Sequence, residues 1–263
     1  MSEIHEVHAR LIADSTGNPA IEAEVVLKSG IIGMASCPAC DGVSAGDIHD
    51  VLNSIAPELE GLDIIDQMEL DRSIREAAGD ADNSTLFAVS LACARAAAEF
   101  LELPLFRYLG GVRSCILPVP LYAISASDGT FLLCPEGTGS FRNAFRKGMA
   151  AQRVTETSSP EILAQAGIPA QDARLLTEVP GAAVDPVMCK TLTGVLAAVE
   201  KIHRSGEQVV FRQNGSTGDD FLADLAVAVN AAFIEPGTAA QIPVSNRLLR
   251  IEEMLGDLAE FGA

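Results

Sequence analysis

The sequence predicts a two-part protein of mixed α/β class: a unit in which strands precede helices, then one in which strands lead into a helix again. Three observations predict it. Residues Ala9 to Val25 form two strand-like segments around a cluster of turn formers, Asp14 to Pro19, where Gly17 is free to take positive φ and Pro19 fixes the exit. Asn83 to Leu101 is a nearly continuous apolar stretch, and its alanines permit close helix packing. Past Gly110-Gly111, strand candidates at Val119–Ile124 and Phe131–Cys134 precede a helix from Ser140 to about Arg153.

The earlier elements follow in order. Glu3–Ile12, Ala20–Leu27 and Ile31–Ser36 read as three strands. In the second, Ile21, Ala23, Val25 and Leu27 share one face and Glu22, Glu24 and Val26 the other. Ser44 is an N-cap for a helix to Ala56, with Pro57 placed beyond its end. Ile64–Ala77 gives a second helix, stopped by Gly79. Pro104 opens a short helical turn, and Ala151–Ala183 carries no clear signal.

Composition narrows the function. The 263 residues are 48% apolar and 21% charged, the balance of a folded chain. A net charge of −18 argues against nucleic acid or an anionic membrane as partner. The start, Met-Ser-Glu-Ile-His-Glu, has neither a basic nor an apolar leader segment, and no apolar run reaches membrane-spanning length, so a reducing cytoplasm is the expected setting. Cys37 and Cys40 have CxxC spacing without a second pair, and read as a loop with free thiols. Only four lysines exist (Lys28, Lys147, Lys190 and Lys201), so a lysine base must be one of them.

The order of residues in several segments closely resembles the enolase family. The Ala-Arg start leads into Asp14-Ser15-Thr16-Gly17-Asn18-Pro19 and the strand around Val25. Ile55 to Asp63, Asp66-Gln67, Val89 to Ala92 and Pro104 to Gly111 continue it. Leu117-Pro118-Val119-Pro120 matches the family's link between its two domains, and Phe131 to Gly148 its next conserved pattern. Thr191-Leu192-Thr193, Asp219 to Val227 and Asn246 to Gly256 complete the series. The resemblance implies an enolase-type α+β N-terminal domain over 1–113 and a parallel α/β barrel-like domain over 114–263. A (β/α)₈ barrel takes about 250 residues. The 150 available here imply an incomplete barrel, of about five strands.

Position by position, the resemblance implies lost chemistry. The shortfall between Gly148 and Thr191 removes the family's catalytic glutamate and the three carboxylates for its main magnesium, so no cofactor is expected. The metal-binding serine aligns with Ala39, and the base lysine with Asp185. The Ser-His-Arg-Ser phosphate clamp aligns with Phe211, Arg212, Gln213 and Asn214, and the second lysine with Glu235. Asp185 and Glu235 reverse the charge that would face a substrate carboxylate; at ~4 Å and an effective dielectric of ~20, each costs about 4 kcal/mol.

The remaining candidates read as structural. Lys190 is offset from the lost base, and Glu178 lacks the diglycine context of a catalytic glutamate. His5 and His8, three apart on a strand, face opposite sides, while His49 and His203 lie on polar helix faces. Asn214 to Gly218 resembles an anion nest, but Asp219-Asp220 opposes that charge preference. In the family, an arginine of the first strand and a glutamate of the second pair across a dimer interface with the last helix. Arg10, Glu22, Arg250 and Glu253 occupy those positions.

The expected function is therefore non-catalytic association, as a homodimer or as a subunit paired with a full-length enolase. The alternative is a divergent lyase or small-anion binder with Arg212 as its anchor.

Overall fold

The computed structural model describes residues 2–14, 16–79, 81, 83–154, 157–213, 218–236 and 241–262. Strands β1 (Ile4–Ala13), β2 (Pro19–Leu27) and β3 (Ile32–Pro38) form an antiparallel sheet in sequence order. Ile21, Ala23 and Val25 are fully buried and Leu27 nearly so, as the alternation predicts. A register shift between Ile4 and Glu6 corrects the expectation for the two histidines. The rings of His5 and His8 both reach the Glu6 carboxylate, at 3.5 and 3.1 Å, because the irregularity breaks the two-residue alternation. The CxxC pair is also not wholly loop: Cys37 lies within β3, and its thiol donates to the Ser84 carbonyl (3.1 Å).

Three helices follow: α1 (Ala45–Leu59), α2 (Gln67–Ala78) and α3 (Asn83–Phe100). Ser44 and Asp47 form a reciprocal capping box at the start of α1. Pro57 lies inside α1 rather than beyond it. The fully buried Leu59 holds the last turn in place, and the Glu60 amide still reaches the Ala56 carbonyl at 3.1 Å. Helix α2 starts at Gln67 instead of Ile64, because the Asp66 carboxylate caps the Glu69 amide.

Fourteen of the 18 residues of α3 are buried, which requires cover on more than one side. One side packs on β2 and β3. A Cβ at Gly33 would sit 2.2 Å from the Ala92 carbonyl oxygen, so only glycine permits this approach. The other side packs on the C-terminal half, where Phe87 meets Phe221 with ring centroids 5.4 Å apart.

After α4 (Leu105–Gly110) come β4 (Ile116–Leu117), β5 (Val119–Pro120), β6 (Tyr122–Ala126) and β7 (Gly129–Pro135). The strand expected over 119–124 is thus two strands in different sheets, divided at the buried Leu121. Helices α5 (Phe141–Gln152) and α6 (Ser159–Gln165) precede β8 (Ala173–Leu176) and β9 (Ala182–Val184). The stretch without sequence signal therefore holds one short helix and two short strands. Helix α7 (Leu192–Ser205), β10 (Val209–Arg212), α8 (Phe221–Ala228), β11 (Phe233–Glu235), α9 (Gln241–Leu255) and β12 (Glu260–Phe261) complete the chain.

The barrel is open. Among the described residues a parallel sheet of four strands, in order β5-β11-β10-β9, replaces the five expected. A separate antiparallel sheet, β6-β7-β8, packs on its inner face: Leu132, Cys134 and Leu176 meet Val210, Leu121 and Phe233. Strands β4 and β12 form a small parallel pair. The main apolar cluster runs across both halves, from Ile4 through α3 to Phe221 and Leu255. No helix among the described residues is long and apolar enough to cross a membrane.

Candidate functional site

The carboxyl ends of β9, β10 and β11 gather Asp185, Arg212, Gln213 and Glu235 at the mouth of the parallel sheet. Arg212 and Glu235 are register partners on adjacent strands. Their side chains pair, with Nε to Oε2 at 3.2 Å and Nη2 donating to Oε1 at 3.3 Å. Glu235 is largely buried and Arg212 is 49% exposed. The Arg212 guanidinium is thus already matched by the Glu235 carboxylate. The Asp185 carboxylate accepts the Val187 amide (3.1 Å) and starts the turn that leads to α7. Gln213 is buried, and neither atom of its side-chain amide has a hydrogen-bond partner among the described residues. Asn214 lies outside the described residues, as do Gly215, Ser216 and Thr217 of the suggested nest.

A magnesium ion needs several free, hard oxygen donors. Among the described residues, no three His, Cys, Asp or Glu side chains converge in a way that could hold a metal. Glu235 is engaged with Arg212, and Asp185 caps a backbone amide. This donor set does not fit the family's ion. Ala39 offers only a methyl group, packed against the core. Glu178, His49 and His203 are exposed, consistent with solvated side chains.

Three of the four interface candidates have partners within the chain. Arg10 pairs with Glu22 directly across the hairpin and lies 3.9 Å from Glu24. Glu253 pairs with Arg142 of α5 at 2.7 Å. Arg250 is exposed on α9.

A second constellation, not anticipated from the sequence, joins the two halves through three aspartates. Asp71 accepts from Gln67 (2.8 Å), from the Ser90 hydroxyl (2.6 Å) and from the Thr193 amide (2.8 Å). Ser90 in turn accepts the Leu192 amide at 2.9 Å. Two side chains of the N-terminal half thereby satisfy the first amides of α7, where unpaired donors and the helix dipole favour a carboxylate. Arg75 adds bonds of 2.9 Å to both Thr191 and Thr193.

Asp219 forms the second contact. Arg95 of α3 holds it with two bonds (2.7 and 2.6 Å), and the Ser36 amide donates to it at 2.8 Å. Burial works against the charge of Arg95, but Asp219 and then Asp220 outweigh it and lift the guanidinium pKa above its usual value. Burial also raises the Asp220 carboxyl, a shift that Arg95 only partly opposes. The third contact is Asp224, gripped by Arg247 through two bonds of 2.7 Å while accepting the Phe106 amide at 3.1 Å. The hydrogen bond to Asp224 raises the pKa of Arg247. The signal for this joint was present in the sequence: Gln67, Ser90, Thr191, Thr193, Asp219, Asp224 and Arg247 all lie in the segments that carry the family resemblance.

Comparison with known families agrees with that distribution. Residues 42–109 match the family model for the enolase N-terminal domain, and residues 187–263 match that for the enolase C-terminal TIM barrel domain. The two matches together span more than half of the chain.

Proposed function

The chain belongs to the enolase family, and from that premise we propose that it has given up phosphopyruvate hydratase chemistry and acts by association. It works as a homodimer, or as a regulatory subunit paired with a full-length enolase, in a reducing cytoplasm. The observation that carries the reading is the Arg212–Glu235 pair at the mouth. Dehydration of 2-phosphoglycerate needs a cationic cradle for substrate and metal, and a base beside the substrate carboxylate. The described mouth offers a neutralised arginine, two carboxylates and a buried amide instead.

Association rests on the hairpin and the last helix. Arg250 and Glu253 are three apart on α9 and share a face. Beside them runs a groove of about 680 Å³ between α5 and α9, with Phe145, Met149 and Leu249 among its lining residues. Arg146 and Arg153 line it too and, like Arg250, have no side-chain ion pair or hydrogen bond among the described residues. On a chain of net charge −18 these arginines suit an acidic surface such as the Glu22–Glu24 face of a second copy. Rim ion pairs contribute only ~0–1 kcal/mol each, so apolar contact supplies most of the affinity and the charges fix register. The alternative, a small-anion binder or divergent lyase, is favoured only by the half-exposed position of Arg212, which would have to exchange Glu235 for a ligand.

Two measurements test the proposal. A coupled assay with magnesium and 2-phosphoglycerate should show no turnover above background. In sedimentation, Glu22→Arg should weaken the dimer and added Arg250→Glu should restore it. Clear turnover, or a wild-type monomer at tens of micromolar, overturns the corresponding half of the reading.

A further inference from the structure

Helix α5 presents a charged seam to the groove it shares with α9. Arg142, Arg146, Met149 and Arg153 follow at steps of four, three and four residues, the spacing that keeps side chains on one face toward a neighbouring helix. Arg153 closes α5 with helical backbone angles, so it stays on that face. The start of α5 meets the end of α9, where Arg142 pairs with Glu253 and the Phe141 amide donates to Glu252. On α9 the same steps join Ile242, Asn246, Leu249 and Glu253. Two such stripes side by side leave a trough that suits a third helix, here of about 680 Å³.

The floor and the charges define the occupant. Phe145 stacks on Phe141 with ring centroids 6.5 Å apart, which fixes it in place, and Met149 and Leu249 continue the apolar floor. The charged lining residues are Arg142, Arg146, Arg153 and Glu253. Arg142 and Glu253 neutralise each other at 2.7 Å, whereas the side chains of Arg146 and Arg153 have no ion pair or hydrogen bond among the described residues. The groove thus carries two uncompensated positive charges on a chain of net charge −18. Arg146 and Arg153 lie seven residues apart, two helical turns or about 10 Å along the axis. A small monoanion reaches only one of them. Glu22 and Glu24 of a second copy, both already contacted by Arg10, stand about 7 Å apart on a strand and bring no helix to fill the trough.

We propose that the α5–α9 groove docks an acidic amphipathic helix of another protein, with its apolar side chains on Phe145, Met149 and Leu249 and carboxylates two turns apart beside Arg146 and Arg153. This assignment rests on the reading that the chain acts by association, and not on the hairpin dimer.

The test uses the full chain and a labelled, lactam-stapled alanine peptide of about four helical turns, with leucines along one stripe and glutamates flanking it two turns apart. Anisotropy should show saturable binding. Lysine in place of glutamate should weaken it about tenfold, and so should a central proline that breaks the helix. Arg146→Glu combined with Arg153→Glu, both exposed positions checked by thermal melts for folding, should weaken the glutamate peptide about tenfold and recover binding of the lysine peptide. No saturable binding, equal binding of the lysine or proline peptide, or binding indifferent to the double substitution overturns the proposal. Displacement of the peptide by dodecanoate at equal concentration overturns it too, by marking a small-anion site. A peptide that binds the Glu22→Arg monomer but not the wild-type dimer gives the groove to a second copy and also overturns it. Peptide binding by a wild-type chain that sediments as a monomer upholds it while the dimer reading fails, so the two failures separate.

Discussion

The joint between the two halves and the mouth of the parallel sheet use the same residue types to different ends. At the joint, Asp71, Asp219 and Asp224 are each satisfied by several donors from elements far apart in sequence. At the mouth, Arg212 and Glu235 satisfy each other across neighbouring strands, and Arg212 stays half in water. Many residues of the joint lie in the segments that the family models match, residues 42–109 and 187–263. Groups at strand ends near solvent can change without loss of the fold, because water can take over their hydrogen bonds. A buried joint cannot, because each unpaired charge there is stranded in a low dielectric.

The largest effect expected from this contrast is at Asp224. Asp224→Ala would leave Arg247 and the Phe106 amide unsatisfied, and removing one partner of a buried pair typically costs about 3–5 kcal/mol. Urea unfolding should register that loss, and a change within experimental error would break the contrast. The mouth should respond far less. Glu235→Gln removes the charge from a pair whose other member reaches water, so the loss should stay below about 1 kcal/mol. A loss as large as that of Asp224→Ala would make the mouth a structural element in its own right.

The smallest effect concerns pH. The Asp220 carboxyl titrates above its ordinary value because burial outweighs Arg95, so the folded state holds that proton more tightly than the unfolded chain does. Its contribution is greatest below the unfolded pKa and is lost as pH rises through the folded one. Asp220→Asn should therefore raise the melting temperature slightly near neutral pH, with the gain shrinking in acid. A lower melting temperature near neutral pH would mean that attraction to Arg95 outweighs burial after all.

Much of the N-terminal half was legible because its signals are local. The turn cluster at Asp14–Pro19, the Ser44 cap and the alternation in β2 each fix an element within a few residues. The same reasoning misplaced the end of α1 at Pro57, since the burial of Leu59 is a tertiary contact that no local rule weighs. The break at Leu121 was invisible for a related reason. Val119 to Ile124 has uniform strand character, and only the two sheets it serves divide it.

The candidate site divided in the same way. Resemblance singled out Ala39, Asp185, Arg212 and Glu235 for attention, but the ion pair between two of them needed the register of β10 against β11. Arg10 and Glu22 were assigned to a partner chain, and the hairpin register places them opposite each other.

By itself, the sequence determined the strand-then-helix order of the first half, the family, and the scarcity of lysine, with four in the whole chain. These depend on residue identity and short-range periodicity, which a linear chain displays in full. Only the tertiary structure decided that the barrel stays open at β9, that the inner face is filled by the β6-β7-β8 sheet, and that the retained motifs form a joint. Each of those depends on which distant segments share a hydrogen bond or an apolar contact. Sequence separations of about a hundred residues, as between Ser90 and Leu192, carry no periodic signal of that pairing.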